Sequence, residues 1–91
     1  MFLRLVRFTL KDPGRAQAIA DDLIPRIKQQ PGCGQAVFFG EAGGASGICV
    51  VWDSQAHADA AAAVIRPLLD QHLSGNVAGP PDGGLYPVLA S

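Results

Sequence analysis

A chain of 91 residues makes a single domain spanning residues 1 to 91, and chains this short bury a limited share of their surface and often gain stability by association. It is 48% hydrophobic, only 16% charged and carries a formal net charge of -1, with Arg and Lys scattered rather than clustered, so neither nucleic acid nor an anionic membrane surface is a partner. The opening "MFLRLVRFTLK" is interrupted by Arg4 and Arg7 and is too short and too charged for a signal peptide or a membrane span, so a cytoplasmic location is expected.

Residues 2 to 10, "FLRLVRFTL", are rich in β-branched and aromatic types and read as a strand. "DPG" then starts a helix: Asp12 can accept from free backbone N–H groups, and Pro13 fits the first helical position because it has no N–H to waste. Ala16, Ile19, Ala20, Leu23 and Ile27 form one apolar stripe along it, and "QQPG" ends it. "CGQAVFFGEA" and "GICVVWD" follow as two strands joined by the glycine-rich turn "GGAS". This pairing sets Cys49 near Phe39 and carries Cys33 past the end of the ladder, which predicts two free thiols.

Ser54 is placed to cap a second helix with the stripe Ala58, Ala61, Ala62, Ile65 and Leu69, which "SGN" breaks. The loop "NVAGPPDGG" leads to a last strand, "LYPVLA", whose Pro87 places it at a sheet edge, where a missing donor costs little. The two halves echo each other, since Asp12 and Pro25 are separated by the same interval as Ser54 and Pro67. Under that alignment Trp52 corresponds to Leu10, Val50 to Phe8 and Ile48 to Val6, so Trp52 plugs the end of the layer between sheet and helices. Each interior proline removes a helical hydrogen bond and predicts a kink, near Asp21 and near Ala63.

The order βαββαβ predicts an α+β ferredoxin-like fold: a four-stranded antiparallel sheet with both helices on one face, because such crossovers are right-handed. The other face is bare. Period two puts Leu3, Leu5, Arg7 and Thr9 of the first strand there, with Cys49 and Val51 of the third. Several hundred Å² of mostly apolar surface is more than a stable monomer usually leaves in water. At about 25 cal/mol per Å², covering it contributes on the order of 10 kcal/mol before association costs are subtracted. A second copy is the expected cover, and two such sheets related by a two-fold axis close a barrel with a central cavity.

Three local patterns, "LKDPGR", "PGCGQ" and "VVWDSQAHADA", resemble the antibiotic biosynthesis monooxygenase family of dimeric α/β barrels over about residues 1 to 73. The resemblance implies a homodimer with one pocket per subunit, between sheet and helices or at the barrel mouth. It also implies oxidation of electron-rich aromatic rings or quinols by O₂ with no bound cofactor, metal or flavin. Such chemistry asks of the protein a dry pocket, a group that deprotonates a phenol and one that holds the resulting anion. A related haem-degrading branch uses an Asn on strand one, a Trp within helix two and a His near that helix's end. This chain has no Asn between Phe2 and Leu10 and carries "AAAA" where the Trp would fall, and only His72 matches, to within about one position.

The candidate catalytic residues are Arg7 and His72. Arg7 faces the proposed barrel interior, where a charge is costly unless paired, so it either holds an anion or pairs with the partner subunit's carboxylates. His72 continues the stripe of helix two at the negative end of its dipole, as a cap of terminal carbonyls or as a general base. Trp52, Tyr86 and Thr9 are the substrate-binding candidates, with Tyr86 equally suited to anchoring the last strand. His57, off the apolar stripe, reads as exposed, and Cys49 as packing.

"GEAGGASG" leads into a strand rather than a helix, which excludes a phosphate loop, and two cysteines without clustered His make no metal site. Two functions remain in view, with an isomerase or lyase on the same frame as a third: a small cofactor-independent monooxygenase, or a non-enzymatic dimer that binds a small apolar or aromatic ligand.

Overall fold

In a computed structural model of residues 1–91, the first apolar run forms strand β1 (Phe2–Thr9). It is followed by helix α1 (Ala16–Lys28), strands β2 (Cys33–Gly40) and β3 (Ala45–Trp52), helix α2 (Gln55–Leu73) and strand β4 (Asp82–Pro87). The chain has the expected α+β ferredoxin-like fold, with one sheet in the order β2-β3-β1-β4 and every neighbour antiparallel. No helix is long and apolar enough to cross a membrane.

The helix starts follow from their caps. Asp12 Oδ1 accepts from the Gly14 N–H at 3.1 Å, which closes a single 3-10 turn (Pro13–Arg15) ahead of α1. Ser54 Oγ accepts from the His57 N–H at 3.2 Å and opens α2 directly. Pro25 and Pro67 both lie inside helices that continue beyond them.

The register β1 with β3 pairs Val6 with Ile48, Arg4 with Val50 and Phe2 with Trp52. Phe8, Leu10, Ile48, Val50 and Trp52 are all buried on the helix side against Ile19, Leu23 and Ile27 of α1 and Ala58, Ala61 and Leu69 of α2. Trp52 and Leu10, equivalent in the two halves, are 3% and 2% exposed, so both seal that layer. Phe8 and Phe38 meet edge to face within it.

The opposite face carries no helix. On it Leu5 pairs with Cys49 and Gly84, Leu3 with Val51 and Tyr86, and Cys49 with Val37. Val37, Phe39 and Tyr86 are exposed, with Tyr86 at 54%. Two glycines shape this face: a Cβ on Gly47 would collide with the Phe39 ring, and one on Gly84 would stand 2.6 Å from the Tyr86 hydroxyl. Each ring thus lies in a hollow that only glycine leaves.

Three details differ from the sequence reading. The last strand begins at Asp82, because Asp82, Gly83 and Gly84 pair through their backbones with Arg7, Val6 and Leu5 and need no side chains to do so. Pro87 closes this edge strand instead of lying within it. In the hairpin Cys49 faces Val37, with Phe39 opposite Gly47, and Cys33 stays in the ladder opposite Trp52 through an irregularity between Cys33 and Gln35. Both thiols are free, and burial raises the Cys33 thiol pKa.

The connections are completed by distant parts of the chain. Gly32 has a φ of 83°, which favours glycine, and its carbonyl accepts from the Asp53 N–H at 2.9 Å. The Asp53 and His57 side chains, 2.6 Å apart, close over it so tightly that a Cβ at residue 32 would strike both. The Asn76 main chain and side chain accept from Lys11 and Asp12, at 2.9 and 2.7 Å, where β1 gives way to the first helical turn.

Candidate functional site

A cavity of about 550 Å³ lies between the covered face of the sheet and α2, beside β4. Its apolar wall comes from alternate strand positions, Val6, Val50 and Trp52, and from Ala61, Ile65 and Leu69 of the α2 stripe. The small alanines of α2 are what leave the room: where longer side chains would fill the layer, Ala58, Ala61 and Ala62 stop short of the sheet. Exposed Arg66, Asp70 and Asp82 also border the space.

One charge enters this apolar layer. Arg4 lies on the same strand face as Val6 and Phe8, so period two turns it toward the helices, away from Arg7. Its Nη2 donates to Asp59 Oδ1 at 3.3 Å, while its Nε is shut off from solvent and has no partner. The sequence reading passed over Arg4 as one of the charges that interrupt the opening run. The signal that would have found it is its place in the alternation with Val6 and Phe8.

The predicted site residues fall in three places. Trp52 alone lines the cavity under α2. Arg7 and Thr9 share a second, more open hollow of about 560 Å³ on the uncovered face, with Phe39 and Asp82. There Arg7, whose side chain is 64% exposed, has a carboxylate in its own subunit, with Nη2 3.8 Å from Asp82 Oδ2. Tyr86 stands on the same face beside Leu3, outside that hollow.

His72 faces α1 rather than either cavity. Its Nε2 is 2.7 Å from Asp22 Oδ2, and Arg26 Nε donates to Asp22 Oδ1 at 3.1 Å. The His72 bond, followed by Arg26, holds the Asp22 carboxyl below its ordinary value. Asp22 is then a pure acceptor, and Nε2 carries the shared hydrogen. His57, whose side chain is 44% exposed, does the same to Asp53 and lowers its pKa. No group of three or more His, Cys, Asp or Glu side chains that could hold a metal ion forms in the chain.

No family model matches the chain, and none of the curated proteins does. Solved structures do. SnoaB from Streptomyces nogalater, a cofactor-independent oxygenase, superposes with a TM-score of 0.81 at 17% identity over 99% of this chain and 94% of its own. The monooxygenase ActVA-Orf6 from Streptomyces coelicolor, in complex with nanaomycin D, gives 0.71 at 21% identity over 99% and 89%. A structure described as an antibiotic biosynthesis monooxygenase gives 0.73 at 14% identity over 99% and 100%. The motif resemblance therefore meets its counterpart in three dimensions: this chain has the fold on which antibiotic biosynthesis monooxygenases are built.

Proposed function

We propose that the chain is a small monooxygenase that acts with O₂ on an electron-rich aromatic or quinol-type compound bound under α2, and that it works as a homodimer. The observation that carries this reading is the apolar cavity beside Trp52, entered by the Arg4 guanidinium, on a fold shared with a cofactor-independent oxygenase. Such a site gives an aromatic body an apolar wall and offers one strong donor to an oxyanion. The ring supplies all four electrons: one oxygen atom becomes a quinone carbonyl, the other leaves as water, and the displaced ring hydrogen and the phenolic hydrogen leave with it.

The homodimer closes the uncovered face, and Arg7, Thr9 and Tyr86 then line the chamber between the sheets. Arg7 is proposed as the anion holder of that chamber, whereas His72, held by Asp22 and facing neither cavity, is set aside as a base.

A second reading, a dimer that binds a small aromatic ligand without turning it over, is supported by the cavity lining under α2, which includes no His, Cys or Tyr. Oxygen uptake separates the two. With a panel of dihydroxynaphthalenes and anthrones, the monooxygenase consumes O₂ in step with quinone absorbance, and Arg4→Gln slows it. Binding of the panel without O₂ uptake would leave the binder.

A further inference from the structure

We infer that the cavity under α2 selects anionic aromatic compounds, and that Arg4 is the residue that recognises the charge while Asp59 holds it in reserve. The inference rests on the cavity being the ligand site and goes on to name the ligand's charge state and the side chains that read it.

Arg4 has fewer acceptors than its donors call for. A guanidinium offers five N–H donors in a planar fork, and a carboxylate facing its Nε edge takes Nε and one Nη together. Asp59 takes only Nη2, at 3.3 Å, at the long end for a charge-assisted bond, and from a side chain that is 60% exposed. The Nε hydrogen itself is shielded from solvent and has no partner, although the side chain as a whole is 27% exposed. Buried donors are rarely left so, and since the Arg4 side chain lines the apolar cavity, a small turn of its fork brings the free N–H edge to an acceptor there.

The lining fixes the rest of the ligand. Trp52, Val6 and Val50 present a flat apolar wall from the sheet, and Ala61 and Ile65 face it from α2. That space suits a planar hydrocarbon body with a charged oxygen at the Arg4 end. A phenolate and a carboxylate share this chemistry. Asp59 lies in the first turns of α2, so its bond to Arg4 loosens when a ligand oxygen takes the fork, and the exposed carboxylate returns to solvent. Arg66 borders the same space but is itself exposed, where a charge is screened and binds an anion weakly.

The test is titration calorimetry of the full chain with two matched pairs: 2-naphthoate against 2-naphthamide, and 2,4-dinitro-1-naphtholate against its methyl ether. Trp52 is the only Trp in the chain and lines the cavity, so quenching of its emission shows that binding occurs there. Each anion is expected to bind about tenfold or more tighter than its neutral partner, the range of one charge-assisted hydrogen bond. Arg4→Met removes that ratio while the neutral compounds still bind, and Arg66→Gln lowers it by less. Asp59→Asn, on the surface, raises affinity for the anions several-fold and leaves the neutral compounds unchanged, which keeps the test decisive if Arg4→Met fails to fold.

A preference carried by one anion only identifies the phenolate or the carboxylate as the source. If neutral and anionic compounds bind equally and Asp59→Asn changes nothing, the role given to Arg4 falls while the cavity stands as a ligand site. If no compound of either kind binds or quenches Trp52, the cavity reading falls with it.

Discussion

The two faces of one sheet are made by the same strands and end in different states. Under the helices, Ile48, Val50 and Trp52 of β3 are sealed by this chain alone. On the other side Cys49 and Val51, their immediate neighbours in sequence, are half-buried among exposed Val37, Phe39 and Tyr86. Period-two alternation gives both faces apolar side chains, but only one has a cover within the chain. The covered face can therefore build a largely apolar cavity unaided, whereas the hollow around Arg7 and Thr9 stays more open to solvent until something is laid over it.

The comparison breaks most sharply at Trp52. Trp52→Ala removes the largest side chain of the covered layer and is expected to cost about 3–5 kcal/mol in urea unfolding followed by circular dichroism. A loss below about 1 kcal/mol would mean that the layer is not closed there. Adjacent valines sharpen the contrast. Val50→Ala should cost roughly 1–3 kcal/mol at any protein concentration. Val51→Ala should cost less in dilute solution and more as concentration rises, in step with dimer formation seen by sedimentation. If its cost stays flat with concentration, no second copy covers that face.

The smallest effect is in pH. Asp22 has a folded pKa held below its ordinary 3.8, first by the His72 bond and then by Arg26. Its pairing thus supports the fold above about pH 3.8 and is lost as pH falls through the lower folded value. Asp22→Asn should reduce the drop in Tm between about pH 5 and pH 3, and an unchanged drop would show that the bond between the helices contributes nothing to stability.

Much of this was legible beforehand because burial follows periodicity. The alignment of Val6, Phe8 and Leu10 with Ile48, Val50 and Trp52 placed the helix-facing set, and the caps at Asp12 and Ser54 both form. Glycine hid the start of β4, since Asp82, Gly83 and Gly84 have little strand propensity and are held by their neighbour's backbone. Cys33 was misplaced because one irregularity shifts the register without any mark in composition. The site was read less well. Arg7 drew notice as a charge on a central strand, but Arg4 breaks the rule more severely, since it lies on the helix-covered face with its Nε shut off from solvent. Single-sequence spacing also carried His72 along the α2 stripe and gave no sign that Asp22, fifty positions away in the chain, would claim it.

The clasp over Gly32 bears on how the two sequence halves relate. Asp53 and His57 of the second half finish the bend that joins α1 to β2 in the first, and residue 32 has no room for any other closure. However alike the halves are in pattern and in their helix caps, the first depends on the second for its punctuation. They are not modules that could be separated, exchanged or expressed alone, and the chain should lose its structure in a single cooperative step.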